Sequence, residues 1–242
     1  MKNILLCAVL AFAVRASGQA QVQKPVPVAV TWTYDTQQEM LNLRLVNDSG
    51  KDITAYSMTI TRRYSNRSAG YTDGSPSVSE TMEETGFING AVFAAGTSRN
   101  QHMPEPKDIT DVNVVVDMVV FADATAYVKN ERAFKQLMAM RKGQLMAKQK
   151  VDAVLKRAVT EPSPIFAALA ELTPLLVDAL GKNRTPENPE NNQQNEFQND
   201  VQNFRSKQEA NINEREFVTQ YAEELEKRIA VMKPHCEITI TK

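Results

Sequence analysis

Apolar and polar residues alternate with period two through the first half of the chain and recur every three to four residues through most of the second. The change falls at residues 111–123, Asp-Val-Asn-Val-Val-Val-Asp-Met-Val-Val-Phe-Ala-Asp, the longest β-branched run in the sequence. Strict alternation places Val112, Val114, Val116, Met118 and Val120 on one face and Asn113, Val115, Asp117, Val119 and Phe121 on the other. Both faces carry apolar side chains, which predicts a central strand covered on both sides, with helices docking on the second face.

Upstream, residues 28–34 have the β-branched and aromatic content of a strand. In residues 39–46, Leu41, Leu43 and Leu45 alternate with Asn42, Arg44 and Val46, the pattern of a half-buried strand. Asn47-Asp48-Ser49-Gly50 supplies turn residues, and residues 53–64 follow as a strand with Tyr56, Met58 and Ile60 on one face. These two strands are expected to form a hairpin or a corner between two sheets. Residues 65–80 are rich in serine and glycine and predict a long surface loop. Short strands are expected at 86–93 and 97–102.

Residues 127–159 turn to Lys, Arg, Ala, Met, Leu and Gln, good helix formers interrupted only by Gly143. Ala133, Leu137, Met140, Gln144, Ala147, Val151, Val154 and Ala158 share one face. In residues 195–232, Phe197, Phe204, Asn211, Val218, Leu225 and Met232 recur every seventh position, and Val201, Gln208, Arg215, Ala222 and Ile229 follow each by four. That is a heptad seam, apolar at both ends and polar in the middle, roughly 55 Å long if continuous. Folded back on the first helix it makes an antiparallel hairpin; paired with another chain it makes an oligomeric coiled coil. Between the two lies an apolar stretch, 163–180, interrupted by Pro174, which predicts two short helices and offers either core or a docking patch. The alternating residues 236–241 are expected to return to the sheet as a last strand. The architecture is therefore α+β: an antiparallel β-sandwich over 21–127, a long-helix hairpin over 128–233 and a C-terminal strand in 234–242.

The turn region Leu45-Val46-Asn47-Asp48-Ser49-Gly50-Lys51-Asp52-Ile53 resembles that of secreted bacterial sandwiches of the FxLYD or fibronectin-III-like kind. The resemblance spans residues 28–123 and implies an immunoglobulin-like sandwich. It carries over no active-site residue.

Residues 1–20 have the parts of a secretory signal peptide, with Lys2, an apolar run over 4–14 and small residues up to Ala20. An eleven-residue run is short of the roughly 20 that span a bilayer, so a secreted or periplasmic protein is expected. Cleavage would leave Cys236 as the one cysteine and exclude an internal disulfide, which points to a bacterial envelope. The near balance of 28 basic and 29 acidic residues argues against a nucleic-acid partner. Charge is nonetheless segregated. Nine cations face two acids in residues 127–159, a basic helix that suits an acidic helix of the same chain or, less favoured, an anionic membrane surface.

No zinc spacing, phosphate loop or nucleophile elbow occurs, and no cofactor is expected. His235 and Cys236 are neighbours that an extended strand would point to opposite faces, and His102 has no acid tied to it by a motif. The expected function is a non-catalytic interaction or structural module that binds another envelope protein. Tyr64, Arg67 and Tyr71 at the 65–80 loop are the contact candidates there, because aromatics and arginine dominate interface energetics. Arg141 and Lys142 are the candidates on the basic helix. The alternative is a small-ligand binder or hydrolase with its site between sandwich and helices.

Overall fold

The period-two segments form strands and the helix-period segments form helices. The computed structural model describes residues 27–65, 76–80, 93–105, 109–180, 187–210 and 212–240. β1 (Val28–Asp35), β2 (Met40–Asn47) and β5 (Ser98–Pro104) make a three-stranded antiparallel sheet in the order β1-β2-β5. A five-stranded sheet has the order β4-β3-β6-β7-β8, from β4 (Pro76–Glu80), β3 (Ile53–Tyr64), β6 (Ile109–Phe121), β7 (Thr125–Val128) and β8 (Thr239–Ile240). β4 occupies part of the segment expected as loop. Of the strand expected at 86–93, only Phe93 is described, in an isolated bridge with Ile53.

β2 and β3 lie in different sheets, so the turn between them is a sheet-to-sheet corner rather than a hairpin. Its residues explain the sharp bend. Gly50 has φ +72°, a left-handed conformation that costs glycine little. The buried Asn47 amide donates to the carbonyls of Lys51 (2.8 Å) and Phe93 (2.9 Å), while its Oδ1 accepts from the Ser49 hydroxyl at 2.6 Å. Across the corner the two sheets share one core: Leu41, Leu43 and Leu45 from the smaller, Tyr56, Met58 and Ile60 from β3, and Val112 and Val116 from β6.

Alternation along β6 does not run through. Ser57 pairs with Met118 but Met58 pairs with Val116, so Asp117 is an extra residue in a β-bulge. Beyond it the faces exchange. Val119 and Phe121 join Val112 and Val116 in the core between the sheets, while Met118 and Val120 pack with Ala133 and Leu137 of the first helix. Asp117 itself accepts from the Thr59 hydroxyl at 2.6 Å, and its carbonyl accepts from the amides of Lys129 and Asn130 at the start of that helix. A second bulge at Thr54 interrupts β3 between Ile53 and Ala55.

Four helices follow: α1 (Glu131–Ala158), α2 (Pro164–Leu180), α3 (Gln194–Gln208) and α4 (Glu214–Met232). Asn130 caps α1 by accepting from the amides of Arg132 and Ala133. Tyr127 and Val128, expected to open the helical stretch, belong to β7 instead. α2 is one helix with Pro174 inside it, not two short ones. The long heptad helix is likewise corrected, being two helices broken in its polar middle. Gln208 ends α3, Asn213 caps α4, and the apolar seam residues Phe197, Val201, Phe204, Val218 and Leu225 meet α1 and α2 in one core. The seam is thus filled within the chain. Phe204, Phe217 and Tyr221 close the turn between α3 and α4 as an aromatic cluster, with ring centroids 5.2–5.9 Å apart.

The C-terminal strand does return to the sheet, but in shorter form. Lys233–Cys236 is a 3-10 turn, and β8 pairs with β7 in parallel.

Candidate functional site

Of the residues the sequence nominates, Tyr64 lies inside. Its hydroxyl donates to Glu105 Oε2 at 3.2 Å, Arg62 Nε pairs with the other carboxylate oxygen, and the Tyr34 hydroxyl donates to the Glu105 carbonyl at 3.2 Å. Glu105 is buried, and this cluster ties the two sheets together at one end of their core. Tyr64 is therefore occupied as a cross-sheet tie rather than presented to a partner. Arg67 and Tyr71 lie outside the described residues.

Arg141 is fully buried, a correction to its placement on an outer basic face. Its guanidinium donates to the Thr54 hydroxyl at 3.2 Å and to the His235 carbonyl at 3.4 Å. It thereby links α1, the bulge in β3 and the 3-10 turn before β8. The spacing carried the signal: Arg141 stands four residues after the buried Leu137 and so on the inward face. Lys142, one position on, is exposed.

The other cations of α1 largely meet acids of the same chain. Lys148 pairs with Glu196 of α3 at 2.6 Å with both side chains mostly buried, Lys156 with Asp152 (2.8 Å) and with Glu226 of α4, Arg157 with Glu171 of α2, and Arg132 with Glu187 at 3.3 Å. The basic helix thus packs against acidic neighbours, as its composition suggested.

Two surfaces stand out among the described residues. The first is the outer face of α2. Ile165, Leu169 and Leu172 enter the helical core, but Phe166 is 65% exposed, Val177 63% and Leu180 50%. Ala170 and Pro174 are exposed with them. At 100° per residue, Phe166, Ala170, Val177 and Leu180 fall on one side of the helix. Its two acids lie off that side, Glu171 being turned to Arg157.

The second is a groove of about 760 Å³ between α1, the segment around Pro189 and the C-terminal residues. Phe134, Lys135, Met138 and Lys142 form one wall, and Glu237 and Ile238 the other. Gly143 holds the end of the groove in place. The 3-10 turn Pro189–Asn192 packs so closely on it that a Cβ there would lie 2.2 Å from the Pro189 carbonyl oxygen.

A polar cluster also sits within the helical core. The Tyr221 hydroxyl donates to Asp200 Oδ1, while Asp200 Oδ2 is buried with no hydrogen-bond partner. Burial raises the Asp200 carboxyl to about 6 from an ordinary 3.8, against the opposing effects of the Tyr221 hydrogen bond and the Lys148 charge. Burial also raises the Tyr221 phenol, and Asp200 adds to the effect. His102 pairs through Nδ1 with Asn42 Oδ1 on the surface at 2.6 Å, and Cys236 is buried in the turn before β8. No group of three or more His, Cys, Asp or Glu among the described residues could hold a metal ion.

No family model and no curated protein matches the chain. A solved structure of a hypothetical protein from Peptoclostridium difficile 630 overlaps 46% of this chain and 90% of its own, at 11% identity and a TM-score of 0.31, a likeness too low to bear on fold or function.

Proposed function

We propose that this protein is a non-catalytic interaction module of the bacterial envelope, secreted or periplasmic, in which an immunoglobulin-like β-sandwich carries a helical arm that binds another envelope protein. The observation that carries this reading is the outer face of α2, with Phe166 65% and Val177 63% exposed on a helix whose opposite face is core. Large apolar side chains scattered singly need no explanation, but an aromatic and two aliphatics on one helical face form a patch that water solvates poorly. Covering each one fully is worth about 1.5–3 kcal/mol. Spacing of i, i+11 and i+14 brings all three to one side of the helix, the arrangement of a helix laid into an apolar groove of a partner. The corner between the sheets and their shared core support the sandwich part of the reading. The apolar run over 4–14, which lies outside the described residues, supports the address.

The test is photo-crosslinking in the native cell envelope, with probes replacing Phe166 and Val177 and a control probe replacing Lys227 on α4. One protein captured from both α2 positions but not from the control is the expected result. Phe166→Asp should abolish that capture while shifting stability by less than about 0.5 kcal/mol, as for other exposed sites. Silence at both positions with the protein abundant and folded, or equal capture from Lys227, overturns the proposal.

A further inference from the structure

The groove beside α1 has the size and the chemistry of a ligand site. Its volume, about 760 Å³, lies within the roughly 300–1,000 Å³ of small-molecule sites. On the α1 wall, Lys135 and Lys142 are seven residues apart, two helical turns or about 10 Å, with Met138 between them and Phe134 beside Lys135. Ile238 faces them from the C-terminal side. Cations therefore stand at both ends of an apolar strip. They differ in how they are engaged. Lys135 is within 3.8 Å of Glu131 at the surface and Lys148 pairs with Glu196, whereas Lys142 has no acidic partner among the described residues. Two acids also line the groove, Glu187, which pairs with Arg132 at 3.3 Å, and Glu237 on the opposite wall, and both oppose a second negative charge in the same space.

We propose that this groove binds an amphipathic monocarboxylate, an unbranched apolar chain ending in one ionised acid, with the carboxylate on the Lys142 ammonium and the chain over Met138, Phe134 and Ile238. An uncharged chain would leave Lys142 without its counter-charge, a dianion would meet Glu237, and a short acid would leave the apolar strip wet. Methionine suits the floor because its flexible thioether adapts to an apolar chain of varied length. The site shares no residue with the outer face of α2, so each can fail without the other.

The experiment is titration of the full chain with decanoate, below its micellar concentration, followed by calorimetry and by amide chemical shifts. Decanol, the same chain without the charge, is the comparison ligand. Expected are saturable decanoate binding, shifts centred on Phe134, Met138 and Ile238, and affinity lowered about fivefold to tenfold by Lys142→Gln but not by Lys227→Gln. Met138→Gln should weaken decanoate and decanol alike, and decanol should be indifferent to Lys142→Gln. No saturable binding, equal affinity in Lys142→Gln and the parent, or shifts mapping to α2 instead would overturn the proposal.

Discussion

Asp200 shows how a single residue can oppose the fold that contains it. It is buried among α3, α4 and α1, with Glu196, Lys148, Tyr221 and Arg228 as its ionisable neighbours, and its carboxyl titrates at about 6. In the unfolded chain the same group titrates near 3.8, so between the two values the folded state holds more protons than the unfolded. Stability contributed by this group therefore falls as pH rises from about 4 to about 6, and the deficit is complete above that range. Two pKa units correspond to about 3 kcal/mol at the upper limit. Asp200→Asn removes the charge while keeping an acceptor for the Tyr221 hydroxyl, at the cost of an amide N–H where Oδ2 lies. The variant should be about 1–2 kcal/mol more stable than the parent at pH 7.5 and no more stable at pH 4. Urea unfolding at the two pH values measures this, and a difference that does not change with pH would refute it.

Elements depend on residues whose local propensity points the other way. Gly143 is the one weak point in α1 by helix propensity, and replacing it with alanine would by that measure gain up to about 1 kcal/mol. The tertiary structure reverses the sign. A Cβ would meet the Pro189 carbonyl oxygen at 2.2 Å and Asn192 Cβ at 2.7 Å, and one of the two contacts is backbone. Gly143→Ala should therefore destabilise by about 1–2 kcal/mol net, the overpacking cost exceeding the propensity gain. Because the displaced turn forms the end of the groove, the same variant should weaken decanoate binding. Thermal unfolding and the calorimetric titration check the two halves of this expectation separately. The break between α3 and α4 follows the same logic. Gln208 and Arg215 put polar side chains where a continuous seam would need apolar ones, and folding the chain at that point lets Phe204 meet Phe217 and Tyr221.

At the scale of the whole molecule, one arginine joins the sheet to the helices. Arg141 donates to Thr54 in β3 and to the His235 carbonyl ahead of β8, from a position with no exposure. Arg141→Met keeps much of the apolar stem but leaves those acceptors without a charged donor, and should cost about 2–3 kcal/mol. It should also loosen the coupling of the two halves. Trp32 fluorescence reports the three-stranded sheet and the far-UV signal reports the helices. Their unfolding midpoints should coincide in the parent and separate in the variant. Coincident transitions in both proteins would show that the halves are coupled by something other than this link.

Residue order alone was enough to place strands over most of the first half and helices over most of the second, because period two and period 3.6 are properties of the backbone and each sorts side chains without reference to distant contacts. The inward face of α1 was legible for the same reason, as was the tendency of a basic helix to lie among acidic ones in the same chain. Tertiary structure decided the rest. The bulge at Asp117 exchanges the faces of β6, and nothing in an alternating string marks where one extra residue enters. The choice of a corner over a hairpin after Asn47 rests on Phe93, whose carbonyl accepts from Asn47 and which lies 46 positions away. Tyr64 and Arg141 have the composition of contact residues, and only distant partners, Glu105, Thr54 and His235, turn them inward. The exposure of Phe166 has the same origin: α2 is apolar nearly all round, and periodicity cannot say which side of such a helix its neighbours will leave uncovered.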